Sequence, residues 1–400
     1  MKLLVVSNLY PPHSIGGYEE RCRRIIDRLR TKGHDVLVVT STHGVDGERI
    51  EGHIHRRLRV HGFFGHPWLS IPKLFALEKH NHAVLRDEID TFKPDVIHVW
   101  NLGGISKALT IELQSCGRPV VYDVSDHWIA RSLKADVWLR WWNGEAGGSA
   151  AKLLRGALKA TGVAAFIKKR APFAPWNDIA FRRIYFCSEA LKRITIAKGY
   201  ALEHAAVIYC GIETEAFAVR DEESRFTRLL YVGRLAEDKD PLVAVRAMKL
   251  LPQHFTLSIY GRGDADYTKR LQEEARDLGG RIEFKTAGAE EMSRVYAGHD
   301  ALLFTSAWEE PFALTPLEAM AAGVPVISTL EGGSRELVRH GENALAFRTG
   351  DAGDLARQVM LLHSEPGLRR SMTAIARKEV VEKYDLEQIT TQIENYLKTS

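Results

Sequence analysis

Cysteine is scarce in this sequence of 400 residues, which contains only four. The four stand far apart, at positions 22, 116, 187 and 210, and no two form a Cys-x-x-Cys pair. A disulfide framework or a structural zinc site needs cysteines that are more numerous or more closely spaced. The sequence therefore favours a protein without a metal site that folds in a reducing compartment, and we expect a cytoplasmic location.

Long apolar runs are also missing. No stretch reaches the roughly 20 consecutive apolar residues that a membrane-spanning helix needs. The opening sequence, MKLLVVSNLYPP, holds an apolar run of about six residues, which is typical of a strand that enters a loop and too short for a secretory signal. If the protein meets a membrane, we expect a peripheral contact on its inner, cytoplasmic face.

Charge is divided unevenly along the chain. Residues 1–200 contain 31 Lys and Arg against 19 Asp and Glu, a net +12, and residues 201–400 contain 24 against 32, a net −8, which sum to the overall +4. An anionic partner should therefore meet the first half. Because no nucleic-acid-binding motif accompanies the positive charge, we expect a membrane surface or an anionic acceptor, and no nucleic acid.

Apolar strands alternate with helices in both halves. The strand sequences include KLLVVSN, DVLVVT, DVIHVWN and PVVYDVS in the first half, and LLYVGR, FTLSIYG, DALLFTS and VPVIS in the second. Continuous apolar strands of this kind indicate parallel sheets that are covered on both faces. Since 400 residues are too many for one ordinary core, the predicted fold class is α/β, with two Rossmann-like, doubly wound parallel-sheet domains.

The domain boundaries follow from the same pattern. We place the N-terminal domain at residues 1–205, the C-terminal domain at 206–375 and a final helix at 376–400, and the polar stretch RDEESR (220–225) lies close to the boundary. Residues 366–398 are predicted to be helical, with a break at Tyr384 and Asp385.

One region departs from the alternation. Residues 128–177 contain five of the eight tryptophans and the basic sequence KLLRGALKATGVAAFIKKR. Tryptophan favours the bilayer interface, and an amphipathic basic helix can lie on a membrane. We interpret the region as an insertion in the N-terminal domain, with residues 138–170 as a candidate for peripheral membrane contact. Alternatively, its apolar residues pack on the protein itself and its cations are simply solvated.

Three loops that follow strands carry candidate ligand-binding residues, because open parallel sheets bind ligands beyond the carboxyl ends of their strands. HSIGGYEE places Gly16 and Gly17 before a helix, where bare backbone N–H groups suit an anion. This motif is not a GxGxxG, so it gives little support to dinucleotide binding. YGRGDADY places Gly261 and Gly263 where they could wrap a base or a ribose, or form a plain turn.

The third of these loops, VGRLAEDKD, holds two cations directly after a buried strand. Arg234 and Lys239 could clamp a diphosphate, the arginine as a planar fork and the lysine as a point charge. Alternatively, they are ordinary solvated charges.

A fourth segment, EEPFALTPLEAM (309–320), carries two acids eight positions apart. A structural interpretation explains only Glu318: Thr315 caps a helix that Pro316 begins, and Glu318 completes a capping box. It leaves Glu310 unexplained.

A functional interpretation of the same segment explains both acids. The backbone amides of Ala313 and Leu314, beside Phe312, would bind phosphate oxygens at the helix N-terminus. Glu318 would then meet ribose hydroxyls and Glu310 sugar hydroxyls, so that two acids flank a phosphate-binding turn.

Taken together, these segments resemble the E-x(7)-E signature of retaining nucleotide-sugar glycosyltransferases, and glycosyltransferase family 4 in particular. EEPFALTPLEAMAAGVPVIS carries the signature, and SNLYPPHSIGGYE, VGRLAEDKD, DALLFTSAWEEPF and EGGSRELV follow in the family's usual order and spacing. The resemblance covers nearly the whole chain. It implies a GT-B fold, in which two Rossmann-like domains face each other across the cleft that holds the site.

The resemblance also implies roles for single residues. Glu310 would contact the donor sugar and Glu318 the ribose, while Arg234 and Lys239 would neutralise the leaving diphosphate. Gly16 and Gly17 would approach the donor phosphate and the acceptor from the other domain, and the final helix would cross back to the N-terminal domain.

The resemblance implies a reaction that needs neither a cofactor nor a metal, because Arg and Lys take the place of a divalent cation at the diphosphate. The sequence agrees, since it has no Asp-x-Asp motif at a position where it could bind such a cation. The expected donor is a UDP-sugar first and a GDP-sugar second. The expected acceptor is a glycan, a lipid-linked molecule or a small molecule, in cell-surface polysaccharide or glycolipid synthesis.

Two positions depart from the family's pattern. Ala313 stands where the family often has glycine, and because a methyl group is small we expect the amide contact to survive. The family often has a histidine after the strand PVVYDVS, where this chain has Ser125 followed by Asp126 and His127. Asp126 and His127 are therefore further catalytic candidates, although His127 could equally be a buried structural histidine, and His98 could belong to the core.

Two other functions fit the same architecture. A GT-B nucleotide-sugar epimerase would turn over the donor without an acceptor. A non-catalytic nucleotide-sugar-binding protein would never cleave it, and the presence of Glu310, Arg234 and Lys239 argues against this second alternative.

Overall fold

A computed structural model of the chain describes residues 1–62, 69–219 and 225–399. The polar stretch expected near the domain boundary thus lies, apart from Arg225, outside the described residues. The chain forms two compact units. Unit 1 comprises residues 1–187, 192–208 and the C-terminal residues from Thr390 onward, and unit 2 comprises residues 188–191 and 209–389.

Unit 1 is built on an eight-stranded sheet. Its strands are β1 (Lys2–Val6), β2 (Asp35–Ser41), β3 (Arg49–Glu51), β4 (Ile54–Leu58), β5 (Val96–Val99), β6 (Val120–Val124), β7 (Ile184–Phe186) and β8 (Ala206–Val207). They lie in the order β3-β4-β2-β1-β5-β6-β7-β8. Neighbouring strands run parallel except for β3 and β4, which pair antiparallel. The order reverses between β1 and β5, where the loops that follow these strands diverge.

The helices of this part of the chain are α1 (Gly17–Thr31), α2 (Ile71–Phe92), α3 (Leu109–Ser115), α4 (Val137–Asn143), α5 (Gly148–Ala160), α6 (Val163–Arg170) and α7 (Glu189–Ala197). The predicted helix after the first strand is confirmed as α1, which buries Cys22, Ile25, Ile26 and Leu29. It ends before Gly33, whose φ of +87° favours glycine.

The tryptophan-rich region consists of a π-helical turn (Trp128–Leu133) followed by α4, α5 and α6. Trp128, Trp138, Trp141 and Trp142 are each 6% exposed or less. Trp138 and Trp141 both meet Trp142 edge-on, and Trp142 stacks on Phe173. The expectation that these tryptophans serve a membrane interface is therefore wrong for these four, since they form a local core.

Unit 2 is built on a six-stranded, fully parallel sheet. Its strands are β9 (Arg228–Val232), β10 (Thr256–Tyr260), β11 (Ile282–Lys285), β12 (Ala301–Phe304), β13 (Val326–Ser328) and β14 (Leu345–Ala346), in the order β11-β10-β9-β12-β13-β14. The order reverses between β9 and β12. At such a reversal the following loops part and leave a crevice for a ligand.

The helices from residue 225 onward are α8 (Pro241–Leu250), α9 (Ala265–Ala275), α10 (Met292–Ala297), α11 (Leu314–Ala321), α12 (Ser334–Leu337), α13 (Ala352–Ser364), α14 (Pro366–Lys383) and α15 (Leu386–Lys398). The predicted break at Tyr384 and Asp385 is confirmed, because α14 ends just before it and α15 begins just after. Within the described residues, none of the helices has both the length and the apolar character needed to cross a membrane.

The end of α15, from Thr390 onward, belongs to unit 1. Ile393 and Leu397 are fully buried. Glu394 Oε1 lies 2.9 Å from His34 Nε2, and Arg183 donates a hydrogen bond to the carbonyl oxygen of Tyr396. This C-terminal segment is therefore part of the core of unit 1.

Candidate active site

A cavity of about 110 Å³ opens in unit 2 where the strand order reverses. Its walls come from the carboxyl ends of β9 and β12 and from the first turn of α11. Five of the predicted site residues line it: Lys239, Glu310, Phe312, Ala313 and Leu314. Their convergence follows from topology, since the loops after two adjacent parallel strands meet at one edge of the sheet.

An acid and a cation face each other in this cavity. Lys239 Nζ donates to the carboxylate of Glu310, and Ser306 Oγ donates to Glu310 Oε1 at 2.6 Å. Glu310 is only 7% exposed, and a buried carboxylate needs such partners because a lone buried charge is costly. Sequence reasoning missed Ser306, although it stands only four positions before Glu310.

The loop that carries Glu310 is fixed through its backbone. The carbonyl of Glu310 accepts a hydrogen bond from Gly333 N at 2.7 Å, and the carbonyl of Pro311 accepts one from Ser188 Oγ at 2.6 Å. A Cβ at Gly332 would lie 2.3 Å from the carbonyl oxygen of Glu310, and φ there is +57°. Only glycine fits this position, so the glycine pair of EGGSRELV, which the sequence analysis left without a role, sets the place of the acid.

The lysine loop is tied to the same strand end. Thr305 Oγ1 donates to the carbonyl oxygen of Lys239 at 2.9 Å, and Ala307 N donates to that of Asp238 at 3.0 Å. Lys239 and Glu310 are thus both anchored to the segment that follows β12.

The helix N-terminus at this cavity differs from the predicted one. Helix α11 begins at Leu314, with Ala313 as its N-cap, so the predicted cap at Thr315 and the capping box with Glu318 are wrong. Pro316 is the third helical residue instead of the first. Because alanine has no polar side chain, it cannot satisfy the first backbone N–H groups of the helix, which remain suited to an anion.

Glu318 lies one turn along α11. Its carboxylate accepts a hydrogen bond from the hydroxyl of Tyr296 at 2.7 Å. Burial, with the negative charge of Glu318 beside it, raises the pKa of Tyr296 well above its usual value. Tyr296 therefore stays a donor and orients the acid, a role that sequence reasoning did not find.

Arg234 lies at the surface of unit 2. Its side chain is 63% exposed and pairs with Asp238 at 2.7 Å. Arg234 thus lies outside the lining of the cavity that contains Lys239.

The glycines after β10 serve a close approach between loops. A Cβ at Gly261 would lie 1.9 Å from the carbonyl oxygen of Gly233, and one at Gly263 would lie 1.9 Å from that of Leu235. Both glycines therefore let the loop after β10 lie against the loop after β9. A contact with a base or a ribose stays a prediction.

In unit 1, Gly16 and Gly17 stand exposed at the N-terminus of α1. Gly16 N donates to Glu19 Oε2 at 2.9 Å. Glu19 is buried, and burial raises its pKa. Glu19 of α1 thus already satisfies the backbone N–H of Gly16. Gly17 is the first residue of the helix.

Asp126 is held by two donors in unit 1. Asn101 Nδ2 donates to Asp126 Oδ2 at 2.8 Å, and Trp128 N donates to Asp126 Oδ1 at 2.7 Å. Burial raises the pKa of Asp126 to about 7, helped by the negative charges of Glu19 and Asp123. Asp126 therefore changes charge near neutral pH, which suits a group that binds or exchanges protons with a hydroxyl.

Two histidines, one in β5 and one shortly after β6, are buried. His127 is 8% exposed and His98 is fully buried. His98 Nε2 lies 2.9 Å from the hydroxyl of Tyr185, its Nδ1 accepts from Trp100 Nε1, and burial lowers its pKa to about 4. His98 is thus a neutral core residue, as the structural alternative proposed.

The comparisons with known families cover both units. Residues 15–216 match the family described as Glycosyltransferase Family 4, and residues 213–379 match the one described as Glycosyl transferases group 1. The chain belongs to the glycosyltransferases built from these two domains. The chemistry of this glycosyltransferase is therefore group transfer, and its unit 2 matches group 1 over the whole Lys239–Glu310 site.

Similar proteins extend over the full length of the glycosyltransferase. It is 26% identical to the uncharacterised glycosyltransferase MJ1607 of Methanocaldococcus jannaschii, over 100% of this chain and 98% of that protein. It is 25% identical to sulfoquinovosyl transferase SQD2 of Arabidopsis thaliana, over 95% of this chain and 70% of that protein. The crystal structure of Anabaena Alr3699/HepE in complex with UDP and glucose has a TM-score of 0.71 at 20% identity, with 100% of both chains covered. These likenesses confirm the predicted GT-B class of two parallel-sheet α/β domains.

Proposed function

We propose that this glycosyltransferase is a retaining, metal-independent member of family 4 that uses a nucleoside-diphosphate sugar as its donor. The observation that carries the proposal is the Lys239–Glu310 pair beside the N-terminus of α11. A fixed ammonium and bare helix amides suit a diphosphate, and an adjacent carboxylate suits sugar hydroxyls.

In the proposed reaction, the bond between the anomeric carbon and the diphosphate oxygen breaks as the acceptor oxygen bonds to the same face of that carbon. The proton of the acceptor hydroxyl passes to the leaving phosphate oxygen. Lys239, Arg234 and the backbone amides of Ala313 and Leu314 stabilise the charge that develops on the diphosphate. Glu310 binds the sugar and Glu318 the ribose, while Gly261 and Gly263 lie towards the base.

The proposed donor is a UDP-sugar, with a GDP-sugar as the second choice. Support for UDP comes from the family's resemblance and from the HepE structure, which was determined with UDP and glucose. No cofactor is involved in the proposed reaction.

The proposed acceptor is a glycan, a lipid-linked molecule or a small molecule, bound by the N-terminal domain near Gly16, Gly17, Asp126 and His127. Asp126 would hold the acceptor hydroxyl by a hydrogen bond. We place the protein in cell-surface polysaccharide or glycolipid synthesis on the cytoplasmic side of the membrane, with peripheral contact through residues 138–170.

The deciding experiment incubates the protein with UDP-, GDP- and ADP-sugars, with and without a lipid extract as the source of acceptor, and follows free nucleotide and the configuration of the sugar in donor and product. A transferase releases nucleotide only when the acceptor is present, and the product keeps the anomeric configuration of the donor. An epimerase converts the donor alone, and a binding protein releases nothing. Activity should persist in EDTA, and an absolute need for Mg²⁺ would contradict the metal-independent mechanism.

A further inference from the structure

The outward surface of α5 and α6 exposes large apolar side chains. Leu153 is 76% exposed, Leu154 47%, Val163 41% and Phe166 54%. They are four of the eleven large hydrophobic side chains that are exposed in the described part of the chain. Such clustering on two short helices marks a surface that meets another apolar phase, because single exposed apolar residues are otherwise scattered.

Cations surround these apolar side chains. Lys152, Lys159, Lys168 and Lys169 are exposed, and the guanidinium of Arg170 lies 3.7 Å from the centre of the Phe166 ring. Residues 146–170 contain no Asp or Glu. The positive charge of this surface is therefore not balanced along its own helices.

One cation of the sequence serves the fold instead. Arg155 is buried, donates to the carbonyl oxygen of Ala146 at 3.0 Å and lies 5.3 Å above the Trp141 ring. Arg155 and the buried tryptophans hold α5 on unit 1, while α6 packs against α5 and α2. The exposed faces of the apolar residues are thus not covered by this packing.

The apolar surface continues beside α5. Leu154 also lines an apolar groove of about 610 Å³, together with Val137 and Trp141. Leu153 and Leu154 therefore lie at the edge of a wider apolar area, and both side chains are exposed to solvent.

We propose that the α5–α6 surface, formed by Leu153, Leu154, Val163, Phe166 and the cations Lys152, Lys159, Lys168, Lys169 and Arg170, binds an anionic lipid bilayer. The cations attract the anionic headgroups and the apolar side chains enter the boundary between headgroups and acyl chains. Charge complementarity selects this occupant, since an apolar protein partner would not call for five cations. This inference rests on the proposed function, which includes a peripheral membrane contact through residues 138–170. It names the side chains that make the contact and excludes the buried tryptophans from it.

The test sediments the full-length protein with vesicles of phosphatidylcholine, with or without phosphatidylglycerol. We expect binding only when phosphatidylglycerol is present, and a loss of binding as salt is added. The variant Lys152→Glu/Lys159→Glu/Lys168→Glu should lower the vesicle-bound to free ratio by about tenfold or more, because each cation contributes to the attraction. The variant Leu153→Ser/Phe166→Ser should also lower it, which an attraction through charge alone would not produce.

Matched controls come from unit 2. Lys269→Glu/Arg276→Glu/Arg294→Glu changes the net charge equally at three exposed positions, and Leu250→Ser/Leu361→Ser removes two apolar side chains that are 61% and 37% exposed. Both controls should sediment like the unchanged protein. Equal sedimentation of a control and its matching α5–α6 variant, or equal binding to both kinds of vesicle, would overturn the proposal. Vesicle binding is measured without donor or acceptor, so it can occur when nucleotide release fails, and the failure of one proposal does not imply failure of the other.

Discussion

Lys239 and Glu310 satisfy each other's charge in the cavity at the end of β9 and β12. The arrangement is asymmetric, because Glu310 is buried whereas the lysine side chain is 19% exposed. A lysine lost from such a pair leaves a carboxylate with neither water nor cation. The two side chains proposed to bind the donor are therefore also expected to contribute to stability.

Lys239→Met should lower the free energy of unfolding by roughly 1–3 kcal/mol, because it leaves the Glu310 carboxylate buried without its cation. Arg234→Met is the matched control, since the exposed pair with Asp238 contributes only about 0–1 kcal/mol. Denaturant titration measures both. Equal losses for the two variants would show that Glu310 does not depend on Lys239.

Glu310→Gln and Glu318→Gln should have different effects, because the two acids are proposed to bind opposite ends of the donor. Glu310→Gln should cut turnover far more than nucleotide affinity, because the role proposed for Glu310 is to bind the sugar. Glu318→Gln should weaken the binding of the nucleoside diphosphate itself. Steady-state kinetics and calorimetry with UDP measure the two effects, and the reverse pattern would mean that the two ends are assigned the wrong way round.

Asp126 should make stability depend on pH. Burial raises its pKa from 3.8 to about 7, so the folded state binds more protons than the unfolded state between these values. The contribution of Asp126 to stability therefore falls as pH rises through this window. Asp126→Asn lacks the titration, so the melting temperature of the variant minus that of the unchanged protein should increase from pH 4 to pH 8. A constant difference would refute the raised pKa.

At the scale of elements, the loop 309–312 depends on contacts with the glycine pair at 332 and 333. Gly332→Ala would push a methyl group into the backbone of Glu310, whereas Gly341→Ala meets no atom within 4 Å although its φ of +79° is equally left-handed. Both variants carry backbone strain on the order of 1 kcal/mol. Only Gly332→Ala should displace Glu310, so under the proposed role of Glu310 it should lower turnover by about tenfold or more, the usual result of misplacing a catalytic group. Similar turnover in both variants would remove the loop contact from the explanation.

The strands and helices also differ in how well they could be predicted from the sequence. Continuous apolar runs predicted β1, β2, β5, β6, β9, β10, β12 and β13, because buried parallel strands need apolar residues on both faces. The antiparallel hairpin of β3 and β4 was missed, since its short sequences RIE and IHRRL are mostly polar and charged and contain no continuous apolar run. The start of α11 was misplaced because an alanine cap carries no side-chain signal.

Residues that act by orienting other groups through hydrogen bonds were also out of reach. Ser306, Tyr296 and Ser188 matter through partners that lie 4, 22 and 123 positions away in sequence. Lys239 and Glu310 could be predicted as site residues because a lysine or a glutamate side chain carries a charge that a ligand can use. The four buried tryptophans show the opposite case, in which the residue type alone suggested the wrong environment.

At the scale of the whole molecule, the last residues complete unit 1. A chain that ends at Ile389 loses the buried Ile393 and Leu397 and the Glu394 contact with His34. We expect unit 1 to unfold at a lower temperature in this variant, because large buried apolar side chains each contribute about 1.5–3 kcal/mol. Hydrogen exchange resolved along the chain should show faster exchange in β1 and β7, with β9 to β13 unchanged. A chain that ends at Lys398 is the control, and equal protection in both chains would contradict this role.

If Glu310 binds the donor sugar, as proposed, the way in which its loop is held affects how donor choice can diversify. Its position is set by backbone carbonyls that accept hydrogen bonds from Gly333 and Ser188, and by the space that Gly332 leaves. Mutations that alter the chemistry of the loop's side chains therefore leave its anchoring bonds in place. Such a scaffold allows new sugar preferences to evolve, or to be selected from a combinatorial library, without rebuilding the surrounding domain.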